Sequence, residues 1–300
     1  MRPKMFILIL VISFVSLLMI GCNGSVTPQR YVHKALAIMD KTALFAEGPL
    51  WNEAKKRALS SAPEMMDEAY EIVREALETA GGKHSFLMES SIVQYNDTIQ
   101  WKMPAIEMTD DSILVITVPE FSGNETQAKQ YAQTLQDGIS SDARNVILDL
   151  RGNTGGNMYP MIAGVNALLP KGIILKFKKR HGRESNLTAD YVAKVQGVER
   201  KATISPQIAI LTDGDTASSG EALLICFRGL SNVRTFGSPT AGYASANRTF
   251  DMGDGSKLVI TSSCDVARTG EVFCDDPIVP DVLTNEPMDA ALEWLRISHK

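Results

Sequence analysis

Leu148-Asp149-Leu150-Arg151-Gly152-Asn153-Thr154-Gly155-Gly156-Asn157 is an apolar strand end that runs into a glycine-rich turn ahead of an apolar helical segment. A turn of this composition aims backbone N–H groups into the crevice at the carboxyl ends of the strands, where open α/β sheets bind ligands. Those donors suit a phosphate or an oxyanion, and the same composition would also serve a tight strand–helix connection. The turn is not a P-loop, since no Gly-Lys-Ser/Thr follows, and it lacks the G-x-G-x-x-G spacing.

Working outward, the strand ending in this turn spans Val146–Leu150, and its neighbours repeat the pattern. Ile113–Val118 reads as a strand and Thr126–Ile139 as an amphipathic helix. Met158–Leu169 reads as a helix, Ile173–Phe177 and Ile208–Leu211 as strands, Ser219–Leu230 as a helix and Val233–Phe236 as a strand. Strands apolar on both faces, alternating with helices, predict an α/β fold with a mostly parallel sheet covered by helices. Asn247–Asp251 and Leu258–Thr261 flank Met252-Gly253-Asp254-Gly255-Ser256 as a hairpin, and Pro287–Ile297 closes the chain as a helix. Before the core, the apolar stripe Met65, Ala69, Ile72, Val73, Ala76, Leu77, Ala80 predicts a helix with Ser61 as N-cap, Pro63 in its first turn and Gly81 just past its end.

The first residues are read separately. Arg2 and Lys4 precede an uncharged, strongly apolar run, Met5–Ile20, which ends at Gly21-Cys22 and small polar residues. This is the pattern of a secretory signal. Met19-Ile20-Gly21-Cys22 resembles a bacterial lipobox, which implies cleavage before Cys22 and lipidation of its sulfur; an uncleaved anchor helix is the other reading. The organisation expected is a lipoprotein signal peptide over 1–21, a tether over 22–29, a helical N-terminal region over 30–82 and a catalytic core over 83–300. Both readings put the folded part outside the cytoplasm, held at the cell membrane and facing the periplasm or extracellular space. The net charge of −5, with 44% hydrophobic and 22% charged residues, lacks the basic face of a nucleic-acid binder. Cys226 lies in an apolar helical segment. Cys264 and Cys274 are placed to form a disulfide across a hairpin, free thiols being the alternative. No metal-ligand spacing is present, and no cofactor is expected.

Two further segments have the composition of chemistry. Leu211-Thr212-Asp213-Gly214-Asp215-Thr216-Ala217-Ser218-Ser219-Gly220-Glu221 is again strand, polar turn and helix. Ser218 at a helix start could be an N-cap. Its small neighbours would also admit a substrate carbonyl, and a helix N-terminus favours a developing negative charge. The backbone N–H of Ser219 would be one oxyanion donor, and Gly155 or Gly156 would supply another. A serine nucleophile needs a base. Of the four histidines, His33 lies near the anchor, His181 in a basic stretch and His299 beside the C-terminus. His84, in Gly81-Gly82-Lys83-His84-Ser85-Phe86, is the candidate by elimination, the alternative being a histidine on last-turn carbonyls.

Leu148–Gly156, Thr216–Glu221 and Gly237-Ser238-Pro239-Thr240-Ala241-Gly242, followed by Pro280-Asp281, resemble the successive motifs of the S41 peptidases. These include the C-terminal processing proteases and the tricorn protease core. The resemblance spans about residues 80–285. It implies a ClpP/crotonase-like core, peptide-bond hydrolysis on a peptide or protein substrate, and Ser218 as nucleophile. Processing proteases use a Ser–Lys dyad, with the lysine directly after Gly-x-Pro-Thr-x-Gly; here that position is Tyr243, which points to the tricorn-like branch and a histidine base, matched by His84. That branch orients its histidine through an acid near the Pro-Asp motif. Asp275, Asp276 and Glu271 are the local choices, and Asp276 is the expected one. The chain between Ser85 and Ile113 is too short for a PDZ domain, so the helical region 30–80 is expected to cap the cleft. A catalytically silent ligand-binding protein on the same scaffold is the alternative function.

Overall fold

The computed structural model describes residues 26–96 and 99–297. The signal segment 1–21, Cys22 and tether residues 23–25 lie outside them. The chain opens with α1 (Pro28–Thr42), α2 (Gly48–Ser60) and α3 (Met66–Gly81), then passes through β1 (Phe86–Met88), α4 (Ser90–Asn96) and β2 (Ala105–Met108). The α/β portion follows: β3 (Leu114–Thr117), α5 (Glu125–Gly138), β4 (Asn145–Asp149), α6 (Met158–Gly164), β5 (Ile173–Lys179), β6 (Glu184–Thr188), α7 (Ala189–Gln196), β7 (Gln207–Thr212), α8 (Ser219–Cys226) and β8 (Val233–Gly237). The hairpin β9 (Ser245–Asp251) and β10 (Lys257–Ala267), the short β11 (Val272–Phe273) and β12 (Val282–Leu283), and α9 (Pro287–Ile297) complete it.

These strands form two sheets. The first has the order β12-β8-β7-β4-β3-β2 and is parallel except at β2, which pairs antiparallel with β3. Side chains alternate across each strand. Leu148 and Ile210 join a core with Tyr131, Leu135 and Leu223 of α5 and α8, while Ile147, Ala209 and Leu211 join Ala291 and Leu295 of α9. Both faces are covered, hence strands without polar alternation. Each fully buried aliphatic side chain contributes about 1.5–3 kcal/mol.

The second sheet is antiparallel and is built on β10. β1 and β5 pair with successive parts of one edge of β10, and β9 and β11 with the other. Leu258 and Ile260 of β10 pack with Tyr31, Leu36, Val73 and Leu77 of the N-terminal helices, whereas the intervening Val259 faces the opposite side. α8, buried along its whole length, packs against both β10 and β5 and so lies between the two sheets.

Several boundaries differ from the sequence reading. Ser61 follows α2 as its C-cap, and α3 starts at Met66. Pro63 disfavours a helical residue before it, and the Glu68 carboxylate accepts from the N–H groups of Glu64 and Met65 instead. Gly81 is the last helical residue, and Gly82 (φ 64°) ends the helix. The apolar stretch from Met158 breaks after Gly164 into a 3₁₀ turn, Asn166–Leu168. The polar stretch after β5 contains β6 and α7, the latter capped by Thr188. The helical region does not cap the cleft: it covers the back of the antiparallel sheet, and no described residue before Lys83 lines the cleft. Cys264 and Cys274 are disulfide-bonded, tying β10 to the segment after β11. Cys226 is a buried free thiol, and burial raises its pKa.

Candidate active site

A cleft of about 780 Å³ opens between the sheets, and both candidate groups line it: Ser218 from the start of α8 and His84 from the segment between α3 and β1. Ser218 has φ 51° and ψ −111°. That backbone is far from the extended conformation of an ordinary N-cap and falls outside the regions open to L-residues. Holding it costs on the order of 1–3 kcal/mol.

The surroundings over-determine this strained turn. The β4 and β7 turns are fastened together through Asn153, which is fully buried. Its side-chain amide donates to the Val118 carbonyl, its side-chain oxygen accepts from Gly155 N–H, and its backbone carbonyl accepts from Ala217 N–H at 2.9 Å. A Cβ at Gly220 would sit 2.9 Å from that same carbonyl, so the close approach requires glycine. On the other flank, the buried Glu221 carboxylate accepts from Ser218 N–H (2.8 Å), Gly242 N–H (2.9 Å), Tyr243 N–H (2.7 Å) and the Thr240 hydroxyl. Burial raises the Glu221 pKa against the pull of these four donors. Glu221 thus welds the N-terminus of α8 to the Gly237–Gly242 loop. Neither Asn153 nor Glu221 was identified from the sequence as a site residue, although both lie inside the quoted motifs.

The glycines of the β4 turn divide their duties. Gly155 N–H is taken by Asn153, so Gly155 does not supply the donor expected of it. It is instead a close-packed wall, where an added Cβ would stand 2.8 Å from Ser218 Cβ. Gly156 lines the cleft, and its carbonyl accepts from the Ser219 hydroxyl at 2.7 Å. Among the described residues neither Gly156 N–H nor Ser219 N–H has a protein acceptor, so both remain open for a ligand oxygen.

His84 is 8% exposed, and its Nδ1 is hydrogen-bonded to Ser245 Oγ at 2.9 Å. Burial, reinforced by the Lys83 charge, lowers its pKa to about 4, while the Ser245 backbone pulls the other way. Ser245 engages Nδ1, which leaves Nε2 as the ring nitrogen without a hydrogen-bond partner among the described residues. Asn247 donates to the His84 carbonyl, and Ser85 bridges Gly81 and Thr261, so the segment is held at both ends. Tyr243 meets the His84 ring edge-on at 5.2 Å, with Lys83 Nζ 4.7 Å above the Tyr243 ring.

The expected acid is not found at the ring. Asp276 is exposed and makes no hydrogen bond to His84, and Glu271 is paired with Arg228 at the surface. Asp275 lies near Gly82, with its pKa raised by burial and Oδ1 without a partner among the described residues. The Nδ1 partner is Ser245, brought in by the β9–β10 pairing, a long-range contact that local sequence does not encode. Among the described residues no group of three His, Cys, Asp or Glu is placed to hold a metal ion, and no helix is long and apolar enough to cross a membrane.

Comparison with known proteins decides the family: the profile of "Peptidase family S41" matches residues 112–284. The chain belongs to peptidase family S41. This S41 chain is accordingly a serine-type peptidase. It is 36% identical over 279 residues to the nisin-resistance protein of Lactococcus lactis subsp. lactis, covering 90% of the chain and 87% of that protein. It is 31% identical over 200 residues to the carboxy-terminal processing protease CtpA of Bacillus subtilis (strain 168), covering 66% of the chain but 41% of CtpA. A lipoprotein from Streptococcus agalactiae superposes with a TM-score of 0.84 at 31% identity, over 91% of this chain and 97% of that one. The photosystem II D1 C-terminal processing protease shares the fold, with a TM-score of 0.62 at 13% identity over 87% and 93% of the two chains.

Proposed function

We propose that this S41 peptidase cleaves peptides outside the cytoplasm, with Ser218 as nucleophile and His84 as general base. The strained Ser218, at a helix N-terminus in the cleft it shares with a neutral, buried histidine, carries the reading. Ser218 Oγ attacks the scissile carbonyl carbon as its proton passes to His84 Nε2. The new oxyanion accepts from Ser219 N–H and Gly156 N–H. The C–N bond then breaks, and the His84 proton leaves on the amine. Water hydrolyses the acyl-enzyme by the same steps in reverse roles. Ser245 holds the imidazole at Nδ1 in place of an acid.

The relative named for nisin resistance covers nearly the whole chain, which supports nisin as the first substrate to try. The likeness to a lipoprotein, together with the Cys22 motif, supports a lipid anchor at the cell membrane. A fluorophosphonate probe should label the wild type, and Ser218→Ala and His84→Ala should each abolish labelling. Undiminished labelling of Ser218→Ala sinks the assignment. Fragments of nisin detected by mass spectrometry with the wild type, but not with Ser218→Ala, would establish the substrate. Cys22→Ala should move the protein from the membrane fraction to the soluble one.

A further inference from the structure

The cleft contains a carboxyl group that the mechanism does not use. Asp265, on β10, is 2% exposed yet lines the same cleft as Ser218 and His84. Its cross-strand partner Phe177 lines the cleft as well, so the two share the face of the sheet that packs against α8. Ala222, one turn along α8 from Ser218, borders the same space.

Buried carboxyls are normally satisfied by hydrogen bonds or a cation, because burial without either costs several kcal/mol. Asp265 has neither. Its Oδ1 has no hydrogen-bond partner, and no ion pair reaches it among the described residues. Its titratable neighbours on α8, Glu221 and Cys226, are both acids. Burial first, and then the Glu221 charge, push its pKa up to about 8. Glu221, by contrast, is equally buried but saturated with four donors. The fold satisfies one acid of the pair and leaves the other open to the cleft.

We infer that Asp265 is a specificity-determining residue, the acceptor at the base of a substrate pocket whose walls are apolar. Phe177, paired with Asp265 across β5 and β10, and Ala222 of α8 line the cleft beside it. A side chain suited to this space has an aliphatic stem and a cationic, donor-rich head, which describes lysine or arginine next to the bond that is cut. The head would supply the missing hydrogen bonds and displace the carboxyl proton, converting an unpaired buried group into a paired one. A buried acceptor of this kind discriminates strongly against analogues that lack the donor, because they leave it unsatisfied.

The inference rests on the hydrolase reading of the cleft, and its test separates the two. Fluorogenic peptides carrying lysine, arginine or norleucine at each residue flanking the scissile bond are compared by kcat/KM. The wild type should favour the cationic residue at one flanking position by about 10-fold or more. Asp265→Asn, nearly isosteric and expected to fold, should reduce that ratio to near unity while retaining Ser218 labelling by fluorophosphonate. In parallel, benzamidine binding to the Ser218→Ala protein is measured by calorimetry, and a second change, Asp265→Ala, should abolish it. A wild-type preference for norleucine, an unchanged ratio in Asp265→Asn, or benzamidine binding that is absent or indifferent to Asp265 overturns the proposal. Benzamidine bound through Asp265, with no probe labelling of the wild type, would overturn the hydrolase reading alone.

Discussion

The two sheets supply different halves of the proposed active site, and they do so by different means. The parallel sheet delivers Ser218, Ser219 and Gly156 from turns at the carboxyl ends of adjacent strands β4 and β7. Each is a strand–turn–helix unit that is local in sequence; Asn153 fastens the two together, and Glu221 ties the second to the Gly237–Gly242 loop. The antiparallel sheet delivers His84, Ser245 and Asp265 through pairings between residues far apart in the chain, such as Cys264 with Ser245 and Phe86 with Val259. The proposed nucleophile thus belongs to a locally encoded motif, while the proposed base and its support belong to a tertiary surface. α8 joins the halves, since it follows directly on Ser218 and packs against β10.

The largest effect is expected at Ser218, the proposed nucleophile. Ser218→Ala should lower kcat by about 10⁴-fold or more, with no loss of folding, and should relieve little of the turn strain since alanine also disfavours positive φ. The next is the weld between the α8 N-terminus and the adjoining loop. Glu221→Ala strips the acceptor from four donors and should cost about 3–5 kcal/mol in chemical denaturation, with activity falling alongside. A loss below about 1 kcal/mol would show that the loop does not depend on it.

On the antiparallel side, replacing both Cys264 and Cys274 by serine should cost about 2–3 kcal/mol, read by thermal unfolding with and without reductant. Ser245→Ala should lower kcat/KM by about 10–100-fold with a smaller change in stability, because the ring loses its orientation and not its base. The pH profile sharpens the same point. As the proposed general base His84 must be neutral, and its folded pKa is depressed to about 4, so activity should persist through pH 5 and fall as pH drops toward 4. The folded state binds that proton less readily than the unfolded chain, so this group's contribution to stability is lost as pH falls below about 6.5. Asp265 has the opposite sign. Its raised pKa makes folding cost more as pH rises from about 4 to 8, so the Tm advantage of Asp265→Asn over the wild type should widen across that range.

How much of this was legible follows the same division. The apolar strands at Val146–Leu150 and Ile208–Leu211, the glycine-rich turn and Ser218 at a helix start were readable because a doubly covered parallel strand and its following turn are written in consecutive residues. His84 was reached by counting histidines and by resemblance. Ser245 was missed, and Asp276 was expected in its place, because nothing in Ala244-Ser245-Ala246 marks it until β9 pairs with β10. The start of α3 was misplaced because Ser61 and Glu68 are both good capping residues, and only the carboxylate's reach to Glu64 and Met65 decides between them.

By itself the sequence determined the α/β class, the turn that carries Ser218 and the family motifs, since these depend on patterns within one strand–turn–helix unit. The tertiary structure decided which glycine keeps its N–H for the cleft, which residue supports His84 and which buried acid is left without a partner. Those outcomes depend on hydrogen-bond satisfaction between distant segments. Two glycines, two serines or two acids of the same type differ in role only through the partner that packing brings within reach.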